Sequence, residues 1–234
     1  MKIRVSVVIP AYNEEKNIGR CLIAIKAQSQ KPYEVIVVDN GSFDKTVEIA
    51  RKYGAKVIHE SLRGIIYARN RGFDEAKGDV IARTDADTVV SSDWVERITK
   101  NFENRTVNRV AGTCVFYKKW MWPIFNFMVF WANDILGYKA LYGPNFAIRR
   151  SAWLEARDTM CAESSVHEDL DLAIHMNKSG GYIRDYKITA TTSARRTRNP
   201  YSFFGKYIAM WVDTVTDKDH AKKSKNIIIS HLLG

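Results

Sequence analysis

Cysteine is scarce. Three residues, Cys21, Cys114 and Cys161, stand far apart in 234 positions and form no Cys-x-x-Cys. That leaves no metal or redox motif of this type and fits a reduced, cytosolic compartment. No apolar run reaches the roughly 20 residues that a spanning helix needs. The chain starts directly into a strand pattern, so no signal peptide is expected. Repeats and low-complexity segments are absent. No Gly-x-Gly-x-x-Gly follows the first strand pattern, which argues against a dinucleotide cofactor, and no Walker Gly-Lys-Ser/Thr occurs. What the chain does have is positive charge, 36 Lys and Arg against 26 Asp and Glu, a net +10. Anionic partners suit it: nucleotide diphosphates, acidic lipids or nucleic acid. A solvated basic surface would give the same balance. Nucleic acid is the weakest of these, since no stacking platform or recognition helix is evident. Six Trp and eleven Tyr suit sugar stacking, a membrane interface or a core.

The first hundred residues alternate two periods. Val5 to Ile9, Glu34 to Val38, Lys56 to Ile58 and Asp79 to Arg83 read as strands. Between them lie helical patterns. Asn13 is placed to cap the first, with Ile18, Cys21, Leu22 and Ile25 on one face. Asp44 opens the second, and Ile65 to Ala76 form the third. Near-continuously apolar strands joined by helices predict a parallel sheet with right-handed crossovers. Ligands of such sheets sit beyond the carboxyl ends of the strands, where Tyr12, Asn13, Asp39, Asn40 and Asp85 to Asp87 fall.

The stretch Thr84-Asp85-Ala86-Asp87-Thr88 is the sharpest signal. Two carboxylates just past a buried strand are costly unless paired or bound to a cation. They are suited to a divalent metal and, through it, a diphosphate. The competing reading is a turn that caps the next helix. Farther on, Ser92 is expected to cap a helix with Val95, Ile98 and Phe102 inward, and Val110 to Tyr117 to form a strand. His167-Glu168-Asp169-Leu170-Asp171-Leu172 opens another helix, where acidic residues also suit the helix dipole. Residues 182–194 read as two short strands. A last helix after Pro200 is expected to bury Phe204, Tyr207, Ile208, Trp211 and Val215. The aromatic segment from Trp120 to Trp131 reads as a core helix or as an interfacial helix on a membrane. The apolar tail from Ile227 to Leu233 is too short to span a bilayer.

Five pieces in order carry a resemblance: Val7 to Glu14, Val37 to Ser42, Gly64 with Ala68-Arg69-Asn70, Asp85-Ala86-Asp87, and Glu168-Asp169. With these the chain resembles a family 2 glycosyltransferase of the GT-A fold. The resemblance implies an α/β, Rossmann-like, mostly parallel central sheet flanked by helices, with a smaller acceptor-side half. The expected division is 1–112 for nucleotide-sugar binding, 113–217 for the acceptor and 218–234 as a basic, apolar tail. Pro10, Ala11, Tyr12 and Glu14 would line base and ribose, Asp39 would bond the base, and Arg69, with Arg63, would contact the nucleotide. Asp85 would reach the ribose side with Ala86 beside it, and Asp87 would bind Mg²⁺ or Mn²⁺. Asp169 would be the general base and Glu168 its orienting neighbour. Arg195, Arg196 and Arg198 resemble the basic motif near the diphosphate, but without the Trp of Gln-x-x-Arg-Trp, which argues against processive synthesis; holding the phosphate of a lipid acceptor and only solvating a loop are equal alternatives for them. His167 stands as a metal-ligand candidate, with a helix-capping or merely exposed histidine the preferred reading.

The function so implied is metal-dependent, inverting transfer of a sugar from a nucleotide-sugar donor, UDP-linked by preference. The acceptor would be a glycan or lipid-linked hydroxyl or phosphate at the cytoplasmic membrane face, with peripheral membrane contact. Two rivals stand beside it. Asp85-Ala86-Asp87-Thr88-Val89 fits the nucleophile motif of a haloacid-dehalogenase-like phosphatase, although that motif normally follows a first strand. A catalytically idle GT-A scaffold at a membrane would need neither Asp87 nor Asp169.

Overall fold

The computed structural model describes residues 2–116, 137, 139–161, 167–176, 180–193 and 200–216. The segment from Trp120 to Trp131, the three arginines Arg195, Arg196 and Arg198, and the C-terminal tail lie outside them.

The strands are β1 (Val5–Ala11), β2 (Glu34–Asp39), β3 (Lys56–His59), β4 (Val80–Arg83), β5 (Thr88–Val90), β6 (Val107–Phe116), β7 (Phe146–Arg149) and β8 (Gly181–Thr192). They form one sheet in the order β3-β2-β1-β4-β7-β6-β8-β5. β1 pairs in parallel with β2 and β4, and β2 with β3. Only β7 and β5 run against the rest. The helices are α1 (Ile18–Lys26), α2 (Thr46–Lys52), α3 (Ile65–Glu75), α4 (Trp94–Phe102), α5 (Arg150–Ala156), α6 (Glu168–His175) and α7 (Pro200–Thr216). A 3-10 turn, Arg157–Thr159, follows α5.

Alternation along β1 explains why both faces are covered. Val5, Val7 and Ile9 enter a core with α1 and α4, while Val8 joins Ala68, Phe73 and Trp153 on the other face, as a period of two requires. α3 lies close to the sheet at Gly72. A Cβ there would stand 2.3 Å from Val8 Cγ1 and 2.9 Å from Val38 Cγ2.

Several local expectations are corrected. Asn13 does not cap a helix. It takes φ +52°, its Oδ1 accepts from Phe43 N at 3.0 Å and its N–H donates to Ser42 Oγ. It fastens the loop after β1 to the loop after β2, and α1 starts five residues later. Ser92 is not the cap of α4. Gln28 Oε1, from beyond α1, accepts from Val95 N at 3.0 Å instead. Residues 182–194 do not form two short strands, because β8 is a single strand with register shifts against β6. The irregular pairing explains its loose alternation. On α7, Ile208 is 47% exposed rather than inward. Apart from these corrections, the expected division of the one domain at 112/113 lies within the span of β6.

Candidate active site

A cleft of ≈ 360 Å³ opens at the carboxyl ends of β1 and β4, lined by Pro10, Ala11, Tyr12, Glu14, Asn40, Arg63, Gly64, Ile65, Ala68, Asp85, Ala86 and Asp87. Strand geometry puts it there: parallel strands end together, and the chain leaves each at the same rim. Asn40 organises one wall. Its Nδ2 donates to the carbonyls of Glu60 and Leu62, and its Oδ1 accepts from Gly64 N at 2.8 Å. Arg63 lies over the Tyr12 ring at 4.2 Å and donates to the Asn40 carbonyl at 2.7 Å. A flat aromatic ring backed by a cation is a platform on which a base can stack.

Asp85 and Asp87 flank a tight turn closed by Thr88 N donating to the Asp85 carbonyl at 3.0 Å. The turn leads straight into β5 and caps no helix. Both residues line the cleft. The end of β8 reaches across to Asp87: Ser193 Oγ donates to Oδ2, and Thr192 Oγ1 to Oδ1 at 3.4 Å. Two hard oxygen donors on an open wall, one of them oriented by hydroxyls, form a donor set that suits Mg²⁺ or Mn²⁺.

Behind the turn stands Arg83, the last residue of β4 and 1% exposed. Its Nη2 bonds Glu168 Oε1 at 2.7 Å and Asp85 Oδ1 at 3.2 Å, and its Nη1 bonds Asp169 Oδ1 at 3.0 Å. One guanidinium thus joins the Asp-x-Asp turn to the first turn of α6. Burial pulls its pKa down, but Glu168, Asp85 and Asp169 outweigh burial and hold it above its ordinary value. Asp169 is pushed the other way. Burial and the neighbouring Glu168 raise its carboxyl to about 7, against the pull of Arg83. Burial also raises Glu168, but Arg83 and Arg69 prevail and hold it below the usual carboxylate range. Two adjacent acids are therefore split, one readily protonated and one firmly ionised.

Asp169 Oδ2 accepts from Gly143 N at 2.8 Å. A Cβ at Gly143 would meet Asp169 Oδ2 at 2.9 Å, so this backbone approach needs glycine. His167 is the N-cap residue of α6, and its N–H donates to Thr214 Oγ1 of α7 at 2.7 Å. Burial holds its imidazole below the ordinary value.

The structure thus brings Pro10, Ala11, Tyr12, Glu14, Arg63, Asp85, Ala86 and Asp87 to one cleft. It puts Asp169 and Glu168 directly behind, through Arg83. Two expected nucleotide contacts are not on the cleft wall. Arg69 is fully buried and donates to the Glu168 carbonyl at 2.7 Å and to Asn70 Oδ1 at 3.0 Å. Burial lowers its pKa more than the nearby acids raise it. Asp39 accepts from Ser42 N at 3.0 Å and lies 3.3 Å from His59 Nδ1. Sequence reading placed Asn40 at this rim but missed Arg83, Gly143 and Ser193. An arginine closing an apolar strand two residues before the acids was the available signal for Arg83.

A parallel-edged sheet with acids gathered at its carboxyl rim defines the GT-A type of glycosyltransferase domain. The chain belongs to glycosyl transferase family 2, whose family model matches residues 6–153. Glycosyltransferase AglE of Haloferax volcanii is 38% identical over 120 residues, covering 48% of this chain and 40% of AglE. Glucosyl-3-phosphoglycerate synthase of Petrotoga mobilis is 32% identical over 123 residues, 49% of this chain and 36% of that protein. The matches thus span less than half of these relatives. Among solved structures, S. aureus TarS in complex with UDP-GlcNAc superposes with TM-score 0.72 at 19% identity, covering 98% of this chain and 72% of that one. The Pyrobaculum calidifontis mannosyltransferase PcManGT in complex with GDP-Man and Mn²⁺ gives 0.73 at 20%, covering 100% and 74%. At such identities the likeness is one of fold. Family membership removes the phosphatase reading.

Proposed function

We propose that this chain catalyses metal-dependent, inverting transfer of a sugar from a nucleotide-sugar donor, UDP-linked by preference, to an acceptor hydroxyl or lipid phosphate. The observation that carries the reading is the Arg83 link: a cleft acid, Asp85, and a buried acid of raised pKa, Asp169, share one guanidinium. The base and ribose lie against Tyr12, Pro10, Ala11 and Glu14, with Arg63 closing over them. Asp85 and Asp87 would hold Mg²⁺ or Mn²⁺, whose Lewis acidity neutralises charge gathering on the leaving diphosphate.

Asp169 takes the proton from the acceptor hydroxyl as that oxygen attacks the anomeric carbon. A single displacement, with the attacking oxygen opposite the diphosphate, inverts the sugar. Arg83 fixes Asp169 Oδ1 and Gly143 N fixes Oδ2, so the carboxylate is aimed before the acceptor arrives. Glu168, held ionised, anchors the other arm of Arg83. Arg69, tied to the Glu168 carbonyl, acts as a positioning residue. Arg195, Arg196 and Arg198 are assigned to phosphate contact on sequence grounds, and so is a lipid-linked acceptor at the cytoplasmic membrane face, from the residues Trp120 to Trp131.

A panel of nucleotide sugars screened by thermal shift, with and without Mn²⁺, tests the donor. Metal-dependent stabilisation by UDP-sugars is expected, and a response to GDP-mannose alone reassigns the nucleotide. Asp169→Asn should retain that shift and lose transfer. No metal-dependent shift with any donor would favour an idle scaffold.

A further inference from the structure

One cluster of metal-ligating side chains lies apart from the cleft. Asp171 and His175 stand one turn apart on α6, and Cys161 follows the 3-10 turn after α5. His175 Nε2 is 3.2 Å from Asp171 Oδ1 and 3.8 Å from Cys161 Sγ, and the three ligand atoms lie within 4.8 Å of one another. The His175 and Asp171 side chains are 1% and 0% exposed.

Hydrogen bonding orients the imidazole. The Thr159 hydroxyl donates to the Ala156 carbonyl at 2.7 Å, and its oxygen lies 2.8 Å from His175 Nδ1. With Nδ1 held by Thr159, the ring turns Nε2 toward both the carboxylate and the sulfur. An imidazole nitrogen 3.2 Å from a carboxylate oxygen is held there by a cation between them, either a proton or a metal ion. This placement separates the cluster from a Cys-His-Asp nucleophile, in which acid and thiol contact opposite ring nitrogens. Here both converge on one.

We propose that Cys161, Asp171 and His175 form a binding site for a borderline divalent cation of the zinc type. Tetrahedral zinc at its usual bond lengths sets its N and O ligands about 3.4 Å apart, and N and S about 3.6 Å. The observed 3.2 and 3.8 Å lie close to both. Thiolate and imidazole select zinc over Mg²⁺ or Mn²⁺, and the Thr159–Nδ1 bond is the outer-shell support that metal-bound histidines use. The ion would pin the turn after α5 to α6, the helix that begins with Glu168 and Asp169. It is distinct from the cation assigned to Asp85 and Asp87.

Cobalt titration of the full chain, stripped of metal with a chelator, tests this. We expect one equivalent of Co²⁺ to give a thiolate-to-cobalt charge-transfer band and the visible bands of a tetrahedral ion. Cys161→Ser should lose the charge-transfer band, His175→Ala should weaken binding at least about 10-fold, and Asp87→Asn should keep the band. Saturating zinc should raise the Tm of the native chain by about 5 °C or more, and leave that of Cys161→Ser unchanged. Should His175→Ala fail to fold, the part-exposed Cys161 still supplies the decisive variant. Absence of a charge-transfer band in the native chain, or its persistence in Cys161→Ser, overturns the proposal and leaves a hydrogen-bonded His175–Asp171 pair.

Discussion

Asp85, Glu168 and Asp169 all contact Arg83, and Glu168 also has a second cation, Arg69 at 3.7 Å; the residue-scale behaviour of the site follows from that imbalance. Arg83 is 1% exposed, so deleting its charge would take this cation from Asp85 and Asp169 and leave Glu168 with only the longer contact to Arg69. Removing one partner of a buried ionic set costs about 3–5 kcal/mol. Arg83→Met is therefore expected to lose at least about 3 kcal/mol in urea denaturation, and Arg83→Lys less, since one ammonium keeps the charge but loses the fork. An Arg83→Met protein as stable as the native one would contradict the geometry. Asp169 gives a pH signature. Its carboxyl is raised to about 7, against about 3.9 when unfolded. The folded state then binds the proton more tightly, so stability falls as pH rises from about 4 through 7. A general base must be ionised, so transfer should rise over the same range and level off above about 7. A rate that is flat from pH 5 to 8 would remove Asp169 from the base role. Asp169→Asn should cost about 10²–10⁴ in kcat. The acids were legible in the sequence because charges beside apolar runs stand out. Arg83 was not, because its partner Asp169 lies 86 positions away and only folding brings them together.

At the scale of elements, the parallel half could be read almost whole. Buried strands and amphipathic helices of ordinary length carry their own period, and β1 to β4 and α3 fall where that period puts them. What escaped depended on distant partners. β5 has three residues and exists by pairing with β8. α4 takes its first-turn acceptor from Gln28, 67 positions away. Asn13 looked like a cap because its side chain suits one, but the loop after β2 used it first. The close packing of α3 on β1 and β2 gives a prediction of the opposite sign from helix propensity. Gly72→Ala should stabilise an isolated helix by about 1 kcal/mol. In the protein its Cβ would enter the space of Val8 and Val38, and overpacking costs about 1–3 kcal/mol. Clash should win because both neighbours are branched, buried strand residues with little room to turn. Net destabilisation in urea denaturation is expected, and a more stable variant would show that α3 can lift off the sheet.

For the whole molecule, the question is whether the two halves expected from the sequence, 1–112 and 113–217, can stand apart. The sheet order answers it. β4, from the first half, has β1 on one side and β7, from the second, on the other, with Val80 opposite Arg149 and Arg83 opposite Phe146. β5, also from the first half, lies at the far edge on β8. β6 runs from 107 to 116, so a cut after 112 divides a strand. The cores cross the same seam: one joins Val5 and Ile18 to Tyr142 and Ile188, the other joins Val8 and Ile81 to Phe146 and Leu172. A fragment of residues 1–112 would expose one edge of β4, leave β5 unpaired and deprive Arg83 of Glu168 and Asp169. Exposed edges and an unpaired buried cation are each unfavourable, and together they should keep the fragment from packing. The full chain should unfold in one step, with circular dichroism and tryptophan fluorescence coincident, while residues 1–112 show no cooperative transition. A fragment melting sharply on its own would mean that this half needs neither β7 nor the acids of α6. The single-seam view of this fold, and with it the argument that Arg83 couples donor cleft to base, would then fail.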